Sequence, residues 1–331
     1  MEMTRLGRTG LAVSRLCLGT MTFGLQSDEE TSVAILDRAE EGGINFLDSA
    51  DVYPIGGGFS QGTTGRTEEI LGRWLRGRRQ NWIVATKCVG AVGPNPWDHG
   101  ASRKHILDAV EGSLRRLQTD YIDLYQMHGY DQATPIDETL GALDDLVRSG
   151  KVRYIGCSNY LAYQLARAVG RSETRNWVRM DSVQPRYNLL FRQIERELLP
   201  LCAEEGIGVI PYNPIAAGLL TGKHSRETVT EGTRFTLGTA ARNYQQRYWH
   251  DREFDTVEAL RPLAAEAGMS LTSLAVGWVL ANPAITAPIV GASRADQLDD
   301  SLAAVEKPLD ADLKATLDQL TDEYRRGDAA R

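Results

Sequence analysis

Four residues that can act together on a carbonyl compound lie at the ends of successive predicted strands. Asp48 ends the apolar strand that begins at Asn45, Tyr53 follows in the next loop, and Lys87 and His128 come after the next two strands. A free tyrosine hydroxyl titrates near ~10 and is a weak proton donor at neutral pH. A cation ~4 Å away could lower that pKa by about three units at most, at an effective dielectric of ~20. We therefore predict that Lys87 lowers the pKa of Tyr53, that Asp48 keeps Lys87 charged, and that His128 donates a hydrogen bond to a substrate oxygen.

This combination suits proton delivery to a carbonyl oxygen while a cofactor supplies a hydride to the carbon. Taken singly, each residue has an ordinary structural explanation, such as a solvated lysine or a capping aspartate. An aldolase that forms a Schiff base would also use a lysine in a barrel. Tyr53 and the lack of a Rossmann pattern favour a reductase over that alternative.

The elements that position these residues form a regular repeat. Residues 3–15 predict a β-hairpin that plugs one end of a larger structure. Eight apolar strands follow, each with a helix after it, at residues 15–19, 45–48, 82–86, 120–127, 152–157, 182–184, 208–212 and 286–290. This pattern predicts a closed parallel (β/α)₈ TIM barrel. A doubly wound sheet is the alternative, but neither the G-x-G-x-x-G fingerprint nor P-loop spacing occurs in the sequence.

Several helix boundaries can be predicted from local signals. Ser27 begins a capping box for the first helix, and Pro135 occupies the first position of the fourth. Further helices are predicted at Ile194–Glu205, Phe254–Ala267, Leu271–Ala281 and Arg294–Val305, the last of them capped by Ser293. The segment after strand seven, residues 213–250, has no clear periodicity, so we expect it to be a long loop that covers a site.

Polar residues follow the carboxyl ends of the predicted strands, where barrel enzymes carry their active sites. Besides the four catalytic candidates they are Ser158, Asn159, Gln184, Tyr212, Gly291 and Ser293. Five aromatic residues near the same rim are candidates for an apolar substrate pocket: Phe23, Tyr53, Trp97, Tyr130 and Trp249.

Composition indicates a globular protein of 331 residues, of which 42% are hydrophobic and 24% charged. We predict a single domain over residues 1–331, with disorder only at Gly327–Arg331. The net charge of −7 has no basic patch for nucleic acid or anionic membrane. No apolar run reaches the ~18 residues of a membrane span, and no signal peptide is recognisable. Four separated cysteines and scattered histidines predict reduced thiols, no metal site and a cytoplasmic location, so the expected partner is a small molecule.

Six stretches of the sequence resemble the aldo-keto reductase family. They are GTMTFG at 19–24, NFLDSADVY at 45–53, GRTEEILG at 65–72, KVRYIGCSN at 151–159, PYNPI at 211–215 and IVGAS at 289–293. The resemblance extends from end to end of the chain. It implies a barrel that binds NADP(H) at the carboxyl rim, with Tyr53 as general acid, Lys87 and Asp48 as its activators and His128 orienting the substrate.

The resemblance also implies a set of cofactor contacts. Ser158, Asn159 and Gln184 correspond to residues that hold the nicotinamide amide, and Tyr212 to the ring that stacks on it. The remaining positions, near the riboses, the pyrophosphate and the adenosine, are Thr20, Met21, Gln26, Asp48, Asn213, Pro214, Ile215, Ala216, Gly218, Leu219, Lys223, Arg234, Gly291, Ser293, Arg294, Gln297 and Asp300. Asn213 and Ser301 depart from the residues common in the family, and the segment Pro54–Gly65 is longer than usual.

The chain also resembles the beta subunits of voltage-gated potassium channels, which keep the barrel and the cofactor but act as regulatory partners. His128 and the absence of an extension before Arg5 favour an enzyme. Arg294, and after it Arg234, are the candidates for selecting NADPH through its 2′-phosphate. The sequence leaves open whether the substrate is an aldehyde, a ketone or a keto sugar, and it leaves the oligomeric state open.

Overall fold

The chain begins with the predicted hairpin, which closes one end of the barrel. The computed structural model describes residues 1–326, so the disorder predicted at Gly327–Arg331 lies outside the described residues. Strands β1 (Met3–Arg5) and β2 (Ala12–Ser14) pair antiparallel. Leu6 and Val13 pack into a buried cluster with Phe46 and Leu124 from the barrel strands. The hairpin therefore fills the barrel interior at the end opposite the predicted site.

Eight parallel strands form the barrel wall: β3 (Cys17–Gly19), β4 (Phe46–Asp48), β5 (Ile83–Cys88), β6 (Ile122–Met127), β7 (Val152–Ser158), β8 (Met180–Gln184), β9 (Gly208–Val209) and β10 (Ile289–Gly291). From β3 to β9 each strand pairs with the next along the chain, and β10 pairs with β3. The Ile289 N–H donates to the Pro211 carbonyl at 2.8 Å, and Tyr212 bridges Ile289, which closes the sheet. The (β/α)₈ barrel is confirmed.

The helices surround the sheet: α1 (Glu29–Glu41), α2 (Arg66–Trp74), α3 (Arg103–Leu117), α4 (Ile136–Arg148), α5 (Ala162–Arg175), α6 (Leu198–Glu205), α7 (Ala241–Tyr248), α8 (Asp251–Glu266), α9 (Leu271–Leu280), α10 (Asp299–Glu306) and α11 (Ala311–Leu320). Their apolar faces and the outer strand faces form the larger core. Within residues 1–326, no single helix has the length and hydropathy to cross a membrane, although α8 and α9, which meet at 90°, pass that test as a pair.

Two helix starts differ from the sequence prediction. Asp28, not Ser27, caps α1, because its side chain accepts a hydrogen bond from the Thr31 N–H at 2.8 Å. Pro135 precedes α4 as its cap and is not its first residue. The predicted helix 194–205 is divided into a 3₁₀ turn, Gln193–Glu195, and α6.

The last two strands are shorter than predicted because prolines interrupt their hydrogen bonding. Pro211 and Pro288 have no N–H to donate, so β9 ends at Val209 and β10 begins at Ile289. The Tyr212 N–H still donates to the Pro185 carbonyl at 2.9 Å, which keeps this residue at the barrel rim.

The segments that follow these strands also differ from the prediction. Residues 213–250 contain a 3₁₀ turn at Ala216–Thr221, a second at Gly238–Ala240, and helix α7, which was not predicted. The helix predicted from Arg294 starts as a 3₁₀ turn, Ala295–Leu298, and becomes α-helical only in α10. Ser293 is not its cap.

Candidate active site

Lys87 lies at the centre of the site, in β5 itself and not beyond its end as predicted. Its side chain is fully buried. The ammonium donates to Asp48 Oδ2 at 2.6 Å, to the Ser49 carbonyl at 2.7 Å and to the Tyr53 hydroxyl at 3.4 Å. These three contacts use its three N–H groups. Since the Tyr53 oxygen accepts from Lys87, the phenolic proton is free to point into the cleft.

Asp48 is held by three side chains, one of which the sequence analysis missed. Besides the ion pair with Lys87, its Oδ1 accepts from Gln126 Nε2 at 3.1 Å and from Gln184 Nε2 at 2.8 Å. Gln126 lies in β6 and is fully buried. A polar amide inside an otherwise apolar strand was the available signal, because buried side-chain amides need hydrogen-bond partners.

Burial changes the expected titration of the phenol. It raises the pKa of Tyr53 above its ordinary value, Lys87 opposes that shift, and Asp48 adds to it. The prediction that the Tyr53 pKa is lowered overall is therefore wrong for the protein alone, although the direction of the Lys87 effect is as predicted. For Lys87, burial acts to lower the pKa, but Asp48 and Tyr53 together outweigh it through their charges and hydrogen bonds, and the pKa is raised. Lys87 therefore remains charged at neutral pH.

His128 lies against Tyr53 as a neutral imidazole. The two ring centroids are 5.8 Å apart in an edge-to-face arrangement. Burial, and then the charge of Lys87, lower the pKa of His128 to about 3. At neutral pH its ring can therefore donate one hydrogen bond without carrying a charge.

Tyr53 and His128 open into a cavity of about 790 Å³ at the carboxyl ends of the strands. Most of the predicted cofactor residues line it: Thr20, Met21, Gln26, Asp48, Ser158, Asn159, Gln184, Tyr212, Asn213, Pro214, Ile215, Gly218, Lys223, Arg234, Gly291, Ser293, Arg294, Gln297 and Asp300. Ala216 and Leu219 are not among them, because their side chains are buried in the core.

The residues predicted to hold an amide form one hydrogen-bonded chain beside His128. Ser158 donates through its hydroxyl to the Gln184 carbonyl at 2.8 Å. Asn159 donates through Nδ2 to the His128 carbonyl at 3.0 Å and accepts from the Tyr212 hydroxyl at 2.9 Å. Because Gln184 commits its side-chain nitrogen Nε2 to Asp48, its side-chain oxygen Oε1 is the atom that can accept a hydrogen bond from a ligand.

The segment after β9 crosses the cleft, as expected of a cover. Gln26 Nε2 donates to the Gly232 carbonyl at 2.8 Å, and Arg234 Nη1 lies 3.2 Å from the Met21 sulfur. A Cβ at Gly291 would approach Arg234 Nη2 to 3.1 Å, so this guanidinium lies directly above the end of β10.

A second group of cations occupies another part of the cleft. Lys223 and Arg294 both line the cavity, and burial, and then the charge of Arg294, lower the pKa of Lys223. Arg294 is exposed and pairs with Asp296 at 3.0 Å. Gln297 accepts from the Ser293 N–H at 2.8 Å, which fixes the turn between them. Adjacent like charges of this kind favour binding of an anion such as a phosphate.

Residues 15–322 match the model of the Aldo/keto reductase family. The chain belongs to this family. It is 41% identical over 328 residues to the uncharacterized oxidoreductase YrpG of Bacillus subtilis (strain 168), covering 97% of this chain and 96% of the relative. It is 36% identical over 311 residues to a probable voltage-gated potassium channel subunit beta of Arabidopsis thaliana, covering 92% of each. It is 33% identical over 336 residues to versiconal hemiacetal acetate reductase of Aspergillus parasiticus, covering 93% and 94%.

In this aldo-keto reductase family member, helix α7 supplies part of the cleft wall that sequence reasoning missed. Asn243, Tyr244 and Arg247 line the cavity. Of the five aromatic residues predicted for an apolar pocket, Tyr53 lines the cavity; the other four do not, and Phe23 is fully buried in the core. Among residues 1–326, no group of three or more His, Cys, Asp or Glu side chains could hold a metal ion.

Proposed function

We propose that the protein is an oxidoreductase that uses NADPH to reduce an aldehyde or ketone, with keto sugars among the candidate substrates, and that Tyr53 donates the proton. The observation that carries this proposal is the buried Lys87 ammonium, which has Asp48 as counter-ion and donates to the Tyr53 hydroxyl at 3.4 Å. Burying a cation costs free energy unless the cation is paired. A buried, paired lysine beside a phenol in a cleft is therefore a candidate for a functional site.

The chemistry of this chain is the movement of one proton. The nicotinamide, when bound, supplies a hydride to the carbonyl carbon. Tyr53 donates its proton to the carbonyl oxygen as negative charge develops there, and the phenolate that remains is stabilised by Lys87. Asp48 keeps Lys87 charged and directed at the hydroxyl.

His128 orients the substrate in this proposal. As a neutral imidazole beside Tyr53, it donates a hydrogen bond to the same carbonyl oxygen, which holds that oxygen within reach of the phenol. A charged imidazolium would compete with Tyr53 as a proton source. Burial next to Lys87 prevents this at neutral pH.

The cleft fits an extended dinucleotide phosphate. Gln184, Ser158 and Asn159 present polar groups for a carboxamide, and the Tyr212 ring lies at the rim beside them. Arg234 and the neighbouring cations Lys223 and Arg294 suit the phosphates, and we propose that Arg294 favours NADPH over NADH. Four free, buried cysteines agree with a reducing compartment, so we also propose a cytoplasmic location.

The alternative is a cofactor-binding regulatory subunit with little or no turnover. The observation that favours it is the similarity to the Arabidopsis protein named as a potassium channel subunit beta. The retained contacts of Asp48, Tyr53, Lys87 and His128 favour the enzyme, because a subunit that only binds cofactor does not need a tuned proton donor.

The test is NADPH oxidation by the purified protein against a panel of aldehydes, ketones and keto sugars, with Tyr53→Phe as the matched variant. We expect turnover by the wild type and a loss of about 10²–10⁴-fold in kcat for Tyr53→Phe, with NADPH affinity close to wild type. A variant that keeps more than about a tenth of kcat would exclude Tyr53 as the donor. No turnover with any member of the panel, despite NADPH binding, would favour the regulatory subunit.

A further inference from the structure

Helix α7 presents polar groups to the cleft in a segment that the sequence predicted only as a long covering loop. Asn243, Tyr244 and Arg247 line the cavity, and their spacing puts them on one face of the helix. Tyr244 is 6% exposed, whereas Arg247 reaches solvent. Tyr53 lines the same cavity, and Tyr244 adds to the rise in the Tyr53 pKa that burial causes. This face therefore lies over the reacting end of the cleft.

Arg247 lines the same cavity as His128 and Tyr212. Burial raises the pKa of the Tyr212 hydroxyl, and the positive charge of Arg247 opposes that rise. That hydroxyl donates to Asn159 Oδ1 at 2.9 Å, and Asn159 donates in turn to the His128 carbonyl at 3.0 Å. Arg247 therefore acts electrostatically on a hydrogen-bonded group that ends at the residue proposed to orient the substrate carbonyl.

Arg247 has no carboxylate partner among residues 1–326, since none of the ion pairs found there includes it. Among residues 1–326, two carboxylates line the cavity. Asp48 is committed to Lys87, and Asp300 lies in α10, beyond Arg294. A cation at the mouth of a cleft, in a protein of net charge −7, attracts anions to that position.

We propose that Arg247 binds an anionic group of the substrate, so that the physiological substrate is an aldehyde or ketone that carries a carboxylate or phosphate away from its carbonyl group. A guanidinium provides two parallel N–H donors for such a group. The inference rests on the proposed reductase activity and adds the class of substrate to it.

The test compares two aldehydes of nearly equal size, 4-formylbenzoate and its neutral amide, 4-formylbenzamide. The measured quantity is the ratio of their kcat/KM values with NADPH. We expect wild type to prefer the acid by roughly 10-fold, because a charge-assisted hydrogen bond at a partly solvated position keeps part of its strength. Arg247→Met should bring the ratio close to one.

Arg242→Met is the matched control. This substitution removes the same charge from α7, but Arg242 does not line the cavity. It should retain the preference of wild type. A second measurement is independent of turnover: calorimetric titration of the NADP⁺-loaded protein with benzoate and with benzamide. Arg247→Met should weaken the binding of benzoate by about 10-fold relative to that of benzamide. Added salt should weaken the binding of benzoate to the wild type.

The outcomes separate the two proposals. If neither aldehyde is reduced by wild type, the reductase function fails. If both are reduced equally, or if Arg247→Met keeps the preference for the acid, the reductase stands and the role of Arg247 is refuted. If Arg247→Met weakens the binding of NADPH and lowers kcat/KM equally for both aldehydes, Arg247 binds the cofactor. The anionic class of substrate is then also refuted.

Discussion

Replacing Lys87 by methionine tests the proposed proton donor most directly. Methionine keeps most of the volume of the side chain but removes the ammonium that donates to the Tyr53 hydroxyl at 3.4 Å. Asp48 then loses its counter-ion but keeps the amide donors of Gln126 and Gln184. The variant therefore changes the stabilisation of the Tyr53 phenolate while two of the contacts of Asp48 remain.

The magnitude follows from the distance between the two groups. Two unit charges 3.4 Å apart interact with about 5 kcal/mol at an effective dielectric of ~20, which equals three to four pKa units as an upper limit. The Tyr53 pKa, already raised by burial, should rise further in Lys87→Met. We expect kcat for carbonyl reduction to fall by about 10²–10⁴-fold, the usual contribution of a general acid.

The assay is single-turnover NADPH oxidation from pH 6 to 10, with NADPH affinity measured separately by fluorescence. A double-variant cycle gives the sharpest control, because Lys87 can act only through Tyr53 in this mechanism. The combination Lys87→Met with Tyr53→Phe should be about as slow as Tyr53→Phe alone. Losses that multiply in the double variant, or an unchanged pH profile in Lys87→Met, would refute the coupling.

Three further predictions concern the charges around this centre. Asp48→Asn should reduce the free energy of unfolding by about 3–5 kcal/mol in denaturant titrations, since it leaves the buried Lys87 uncompensated, and adding Lys87→Met should restore part of that loss. Because the pKa of His128 is lowered to about 3, its protonation favours the unfolded chain. The free energy of unfolding should be unaffected by this group above pH ~6.5 and should fall by at most ~2–3 kcal/mol towards pH 4.5. His128→Asn should flatten this part of the profile of unfolding free energy against pH. Arg294→Ala should weaken the binding of NADPH by roughly 10-fold in fluorescence titrations and should change the binding of NADH little. The effect is limited because Arg294 is exposed and paired with Asp296. Equal losses of affinity for both cofactors would contradict this role.

The barrel could be predicted from the sequence because its strands are buried on both faces and so appear as short apolar runs at regular intervals. Helix α7 could not, because only Tyr244 and Tyr248 of its eight residues are buried, and the remaining positions carry no apolar period. Its position over the cleft depends on packing against the turn Ala216–Thr221. The sequence analysis missed the lining residues of α7 for the same reason that it missed the helix, which is the lack of an apolar period in this segment.

Strand ends indicated which residues lie at the rim but not how deeply each is buried. Lys87 is the fifth of six residues in β5, and the inward direction of its side chain follows from the strand register, which a single apolar run does not define. The same limit applies to Gln126, which pairs directly with Lys87 in the neighbouring strand. Burial, and with it the sign of the Tyr53 pKa shift, depended on the closed barrel.

The raised pKa of Tyr53 agrees with a role as proton donor in reduction. A phenol whose pKa is raised by burial keeps its proton at neutral pH and does not release it to solvent. The proton leaves only when a stronger base forms beside it, and the developing negative charge on the substrate oxygen is such a base. Lys87 then stabilises the phenolate that remains, so its charge matters most in the transition state. Asp48, Ser49 and the two glutamines therefore serve the reaction indirectly, by keeping a charged lysine in a fully buried position beside the phenol.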